Sequence, residues 1–161
     1  MPEMDASLAE IEAVYRTRGA DFVRLALART GDAEAARDAV QEGFARAIRG
    51  RWSYRRTGSL EAWIARCVLN AAHDLVRRPT AAGVVPNADD SASADEVDAP
   101  AVRAAIRRLP QRQRDALFLR FYLGFDYAEI AATLGIAVGT VSATLHAARA
   151  SLADNLQEVA G

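Results

Sequence analysis

Four side chains with hydrogen-bonding chemistry recur along one short stretch of this 161-residue chain. Arg66, Asn70, His73 and Arg77 fall at i, i+4, i+7 and i+11, the spacing that gathers residues on one face of a helix. They lie opposite Ile64 and Val68, so the stripe points away from the apolar side. Just upstream, residues 50–58 read Gly-Arg-Trp-Ser-Tyr-Arg-Arg-Thr-Gly, a loop holding Arg51, Trp52, Tyr54, Arg55 and Arg56. Guanidinium groups interleaved with rings suit single-stranded nucleic acid: Arg pairs with phosphate while bases stack on the aromatics. A solvated helix face, with Trp52 tucked into the core, accounts for the same residues equally well.

Little else in the chain suggests chemistry. His73 and His146 stand far apart in sequence, and both fall on expected outer helix faces. There is no metal-ligand spacing, no glycine-rich phosphate loop and no nucleophile elbow. No catalytic residue, metal or cofactor is therefore expected. Cys67 is the single cysteine; it excludes an intrachain disulfide, favours a cytoplasmic location, and reads as a small core residue rather than a reactive thiol. The start, Met-Pro-Glu-Met-Asp, lacks the apolar stretch of a signal peptide. No run of 18 apolar residues occurs, so no membrane span is expected.

A second recognition element is predicted over residues 126–149. Asp126 is placed as an N-cap with Glu129 three residues on, the pattern of a capping box, and Phe125 and Ile130 are spaced as a hydrophobic staple. Gly124 can end the preceding helix, and Gly135 can take the positive φ of a tight turn. From Val138 a new period begins, with Val141, Leu145, Ala148 and Leu152 inward. Helix, short turn and second helix make a helix-turn-helix, whose second helix can lie in the DNA major groove. An ordinary helical hairpin would share this pattern.

Net charge is −1, which at first argues against nucleic acid, but its distribution is uneven. Residues 1–78 carry 13 Arg against 11 acids, residues 79–96 carry four acids and no base, and residues 97–161 carry seven Arg against six acids. All 20 basic residues are Arg; Arg suits phosphate and guanine, although a GC-rich coding bias would produce the same choice.

The elements that must position these residues are all helices. One helix is predicted over 8–29, with Leu8, Ile11, Tyr15, Phe22 and Leu25 inward. A second spans 33–49, with Val40, Phe44 and Ile48 on one face. A third runs from the cap Ser59 to about Arg78, with Leu60, Ile64, Val68 and Leu75 inward. Residues 79–99, small, acidic and proline-punctuated, read as a flexible linker. Beyond it, a helix starts at Pro100 and breaks at Leu109-Pro110, another runs from Gln111 to Leu123 burying Leu117, Phe118 and Phe121, and the helix-turn-helix follows. No strand pattern occurs. The expected fold is all-α: two small helical modules, 1–78 and 100–161, joined by the acidic linker 79–99.

Three blocks carry a family resemblance. Residues 38–47, Asp-Ala-Val-Gln-Glu-Gly-Phe-Ala-Arg-Ala, resemble a "D-x-V-Q-E-x-F-x-R-A" pattern. Residues 59–78 resemble "F-x-x-W-L-x-x-I-A-x-N-x-x-x-D-x-x-R-R". Residues 109–120, followed by Tyr127-Ala-Glu-Ile-Ala and Val138-Gly-Thr-Val-Ser, resemble the third. Together the chain resembles an extracytoplasmic-function sigma factor of bacterial RNA polymerase over about residues 8–154. The resemblance implies a sigma region 2-like module, a linker threading the RNA exit path, and a region 4-like module. It implies docking of Asp38, Gln41, Glu42 and Arg46 on the β′ clamp, with the β flap as a further polymerase contact. It implies −10 reading by Arg51, Trp52, Tyr54, Arg55, Arg56, Asn70, His73 and Arg77. The −35 element would meet Thr140, Ser142, Ala143, His146 and Arg149, with Arg112 and Arg114 on nearby phosphates. Promoter DNA, core polymerase and an anti-sigma factor are the implied partners. Trp63 also matches a pattern position, but its spacing with Leu60 suits the core.

One departure stands out. The recognition helix of such proteins usually carries Lys or Arg, whereas the outward residues here are Ser142, Ala143, His146, Ala147 and Ala150, with Arg149 at the edge. Two other readings fit the same residues: a stand-alone helix-turn-helix regulator, and a sigma-like interaction protein that holds polymerase or an anti-sigma partner while reading DNA weakly.

Overall fold

The structure is a computed structural model that describes residues 6–56, 58–77 and 100–160. Among these residues every regular element is helical: α1 (Leu8–Thr30), α2 (Ala33–Arg49), a 3₁₀ turn (Arg51–Ser53), α3 (Leu60–Arg77), α4 (Pro100–Arg107), α5 (Gln111–Phe121), α6 (Tyr127–Leu134) and α7 (Val138–Ala160). The expected all-α fold is what the chain adopts. The linker expected over 79–99 lies outside the described residues.

The helix ends follow from local chemistry. Ser7 and Glu10 form a capping box at the start of α1. The Asp32 carboxylate accepts from the Ala35 amide at 2.8 Å, and the Ser59 hydroxyl accepts from the Ala62 amide at 3.0 Å, each satisfying an amide that has no partner within its helix. Gly31 ends α1 in the left-handed region at φ 72°.

Helices α1, α2 and α3 pack around Ile11, Phe22, Leu25, Val40, Phe44, Ile64 and Val68, all buried. Phe44 receives the edges of two rings, Tyr15 at 5.1 Å and Phe22 at 5.4 Å between centroids. In the second half α7 packs against α4, α5 and α6 over Ala105, Leu119, Ile130, Val141, Leu145 and Ala148. The two halves do not stand apart: α1 packs on α5 and α3 on α6, so that one buried cluster runs through both.

Several apolar residues expected inside are not. Phe121 is 63 % exposed, because α5 turns Ala116, Leu117 and Leu119 to its neighbours and ends at Phe121. Leu8 and Ile48 lie near helix ends, past the reach of the core, and are exposed; Tyr15 keeps one edge on Phe44 but is otherwise open. No single helix is long and apolar enough to cross a membrane among the described residues.

Candidate nucleic-acid interface

The α3 stripe forms as its spacing requires. Arg66, Asn70, His73 and Arg77 are exposed, while Ile64 and Val68 are fully buried on the other side. Two hydrogen bonds tie the start of the loop before α3 to the end of α2. The Ser53 hydroxyl donates to the Gly50 carbonyl at 2.6 Å and Arg51 Nη1 donates to the Ile48 carbonyl at 2.8 Å. Trp52 is not tucked into the core: it is 63 % exposed, with the Arg51 guanidinium 4.2 Å above its ring centre. A ring and a cation presented together to solvent are what a base and its phosphate would meet.

Tyr54 requires a correction. It was expected on the nucleic-acid surface, yet it is buried, packs against Trp63 at 5.5 Å, and donates its hydroxyl to the Gly58 carbonyl at 2.7 Å. Burial raises its pKa. Its ring supports the loop and is not open to a base. Trp63 lies against the core, as its spacing with Leu60 suggested. Arg56 sits at φ 55°, an unusual position for a side chain with a β-carbon, and its guanidinium meets both carboxylate oxygens of Glu10, the nearer at 2.9 Å. Arg55 is exposed. The open edge of the loop is thus Trp52 and Arg55, with Arg51 held to the Ile48 carbonyl and over the Trp52 ring, and Arg56 braced by Glu10.

On α2, Asp38 and Gln41 are exposed, but Glu42 and Arg46 are already engaged. Glu42 accepts from Arg46 and Arg49, each at 3.1 Å, and these two bonds hold its carboxyl below the ordinary range. Arg46 also reaches Asp74 of α3 at 2.9 Å. The spacing of Glu42, Arg46 and Arg49 places all three on one charged face of α2, as the sequence indicates, whereas Asp74 was not singled out by sequence reasoning. Beside this face, Tyr15 and Val23 of α1 and Arg37 and Gln41 of α2 line a shallow cavity of about 330 Å³.

In the second half the helix-turn-helix is built by its caps. Asp126 accepts from the Glu129 amide at 2.7 Å and Glu129 accepts from the Asp126 amide at 3.0 Å. Phe125 and Ile130 are both buried beneath them. Gly124 and Gly135 take φ of 66° and 68°. The Ile136 amide closes the turn on the Ala131 carbonyl at 3.1 Å, and the axes of α6 and α7 then cross at 96°, within the range of this motif. Thr140, Ser142, Ala143, His146 and Arg149 are exposed on α7, opposite buried Val141, Leu145 and Ala148. Arg149 leans over the Phe121 ring at 5.9 Å. Arg112 is exposed on α5. Arg114 is not: it is half-buried, bonded to Gln111 at 2.9 Å, and burial lowers its pKa.

The sigma-70 region 2 family matches residues 14–81, and the sigma-70 region 4 family matches residues 100–152. The ECF RNA polymerase sigma factor SigM of Mycobacterium tuberculosis is 37 % identical over 146 residues, which is 87 % of this chain and 74 % of SigM. The chain belongs to the extracytoplasmic-function sigma factors. SigL of the same organism is 32 % identical over 168 aligned positions, covering 96 % of this sigma factor and 93 % of SigL. The fold is shared with CnrH, solved with the cytosolic domain of CnrY, at TM-score 0.70 and 22 % identity over 95 % of this chain and 91 % of that one. It is shared also with the sigma factor RpoE of Bartonella quintana, solved with the anti-sigma factor NepR, at TM-score 0.69 and 22 % identity over 91 % and 95 %. As a sigma factor the protein serves promoter recognition and transcription initiation, in a family of transcription factors rather than enzymes.

Proposed function

We propose that this sigma factor binds the core of bacterial RNA polymerase through the α2 face centred on Asp38 and Gln41, and that Glu42 and Arg46 shape that face from their own ion pairs. The β′ clamp is the docking site for α2, and the β flap receives the second half. The loop edge Arg51, Trp52 and Arg55, continued by Asn70, His73 and Arg77, takes the unpaired strand of the −10 element. Stacking a freed base on Trp52 offsets part of the cost of unpairing it. The α7 face at Thr140, Ser142, Ala143, His146 and Arg149 meets the −35 element, with Arg112 on an adjacent phosphate. An anti-sigma factor is the expected regulator and the cytoplasm the expected site of action. The residues 1–78, 79–99 and 100–161 serve as polymerase and −10 module, linker, and −35 module.

The observation that carries this reading is the exposed Trp52 ring, with the Arg51 guanidinium over it, at the head of the α3 stripe. The test is run-off transcription with purified core polymerase over a pool of genomic promoter fragments. Discrete start sites that vanish with Trp52→Ala support the reading. Tight polymerase binding with no transcript at any fragment favours the interaction-protein reading, for which the sparsely basic α7 face is the supporting observation.

A further inference from the structure

The loop that carries Trp52 and Arg55 is held at its two ends by different elements. Its start is fastened to the end of α2 through Arg51 and Ser53, and the Ser53 and Tyr54 amides donate to the Gly50 and Arg51 carbonyls at 2.9 and 3.3 Å. Its far end meets the first turn of α1. Arg56 Nη2 lies 3.2 and 2.9 Å from the two Glu10 carboxylate oxygens, a contact between positions 46 residues apart. Glu10 is itself fixed: its carboxylate accepts from the Ser7 amide at 2.8 Å, and its amide donates to the Ser7 hydroxyl at 3.1 Å. The same Arg56 guanidinium lies 5.9 Å from the centre of the buried Tyr54 ring.

We infer that Arg56 is a positioning residue for −10 recognition, and that Glu10 is the anchor against which it holds the loop, neither of them touching the DNA. The inference deepens the sigma-factor reading above and rests on it. The family resemblance placed Arg56 among the DNA-reading groups; in the structure its guanidinium is turned to α1 instead.

Two observations carry this assignment. Arg56 has a φ of 55° and is the one non-glycine residue with positive φ among the described residues. A residue with a β-carbon takes that conformation at a cost, and keeps it only where its surroundings enforce it. The second observation is the place of the pair. It joins the capping turn of α1 to the residue next to Arg55, directly after the strut formed by Tyr54 on Trp63. With Tyr54 beneath and Glu10 beside it, Arg56 turns the chain so that Arg55 stays exposed. A phosphate approaching Arg56 would also meet the Glu10 carboxylate, which repels it. The two side chains are 43 % and 42 % exposed, so the pair adds little to global stability. Its effect is local, on how often the loop holds its binding shape, and apparent affinity scales with that fraction.

The test uses the full chain bound to core polymerase, a single-stranded −10 oligonucleotide, and amide hydrogen exchange of the loop in the unbound protein. Glu10→Gln is the informative variant, because Gln serves a capping box as Glu does and only the charge opposite Arg56 is lost. Arg56→Gln removes the other partner. Each is expected to weaken oligonucleotide binding about 2- to 5-fold, and the double variant to bind no worse than the weaker single one. Exchange of the Ser53 and Tyr54 amides should quicken by about the same factor, with far-UV helicity unchanged. The slope of log K against log salt should stay at its wild-type value in all three variants, since no phosphate contact is lost. If Arg56 instead held a phosphate, Arg56→Gln would flatten that slope by about 0.7 and Glu10→Gln would bind as well as wild type or better; that result overturns the inference. Binding and exchange unchanged in both single variants would overturn it too. Should wild type and Trp52→Ala bind the oligonucleotide equally, the −10 reading fails, and exchange still decides whether Glu10 holds the loop.

Discussion

Gly43 of α2 lies so close to Val68 of α3 that a β-carbon on Gly43 would stand 2.6 Å from the Val68 Cα. No side-chain rotation relieves that contact, because its nearest atom is backbone. The absence of a β-carbon is what lets α2 and α3 approach, and so sets Arg46 within reach of Asp74. Gly43→Ala would ordinarily favour a helix by about 1 kcal/mol. Here it forces the helices apart, and a net loss of about 1–3 kcal/mol is expected, measured as a lower urea midpoint at unchanged m-value. A midpoint at or above wild type would mean that the two helices part without cost.

Trp52 and Tyr54, two residues apart, serve opposite purposes, and substitution should separate them. Trp52→Ala removes an exposed ring and is expected to leave the thermal midpoint within about 2 °C, while weakening binding of the polymerase-bound protein to single-stranded −10 oligonucleotides by about 1–3 kcal/mol. Tyr54→Phe removes the hydroxyl bonded to the Gly58 carbonyl and should lower stability by about 1 kcal/mol. Equal binding losses for the two variants would contradict this division.

Glu10 and Glu42 both have carboxyl pKa values lowered from the ordinary 4.5, Glu10 by the Ser7 amide and Arg56, Glu42 by Arg46 and Arg49. A depressed folded pKa gives stability that is present above the unfolded value and is lost as pH falls through the folded one. Acid should therefore destabilise the protein progressively below pH 4.5. Glu10→Gln should flatten that part of the stability–pH curve, with little change near neutrality because both glutamates are surface groups. A slope unaltered by the substitution would assign the acid sensitivity to other carboxylates.

Burial pushes the Cys67 thiol up to about 11. Near neutral pH its thiolate population is then roughly 100-fold below that of a thiol at the ordinary value of 9.0. Alkylation of the native protein should be slower than that of the urea-unfolded chain by at least this factor. Comparable rates would show that the α3 core opens readily around Cys67.

The α7 face offers Arg149, and α5 offers Arg112, as exposed guanidinium groups near the expected −35 contact. Two phosphate contacts predict a plot of log K against log salt with slope of about −2 for duplex binding. A slope steeper than about −5 would require basic groups other than these two.

The sequence by itself determined the helices, their ends and the faces they bury, because those depend on local chemistry. Asp126 and Glu129 lie three residues apart and cap each other wherever the chain goes; Val141, Leu145 and Ala148 share a face through helical period alone. The α3 stripe was legible for the same reason. The three quoted blocks carried the family, since they fix residue types at both ends of the chain at once. What the sequence left open was decided by partners distant along it. Tyr54 is hidden because Trp63 and Gly58 surround it, and no short-range rule distinguishes it from exposed Trp52. Phe121 is open because α5 turns other residues to its neighbours. Arg114 is occupied, and Asp115 buried, only because α1 lies across α5. Periodicity tells which side of a helix is apolar; it carries no information about which other helix meets a charged residue lying among those apolar ones, since that contact joins positions 86 residues apart.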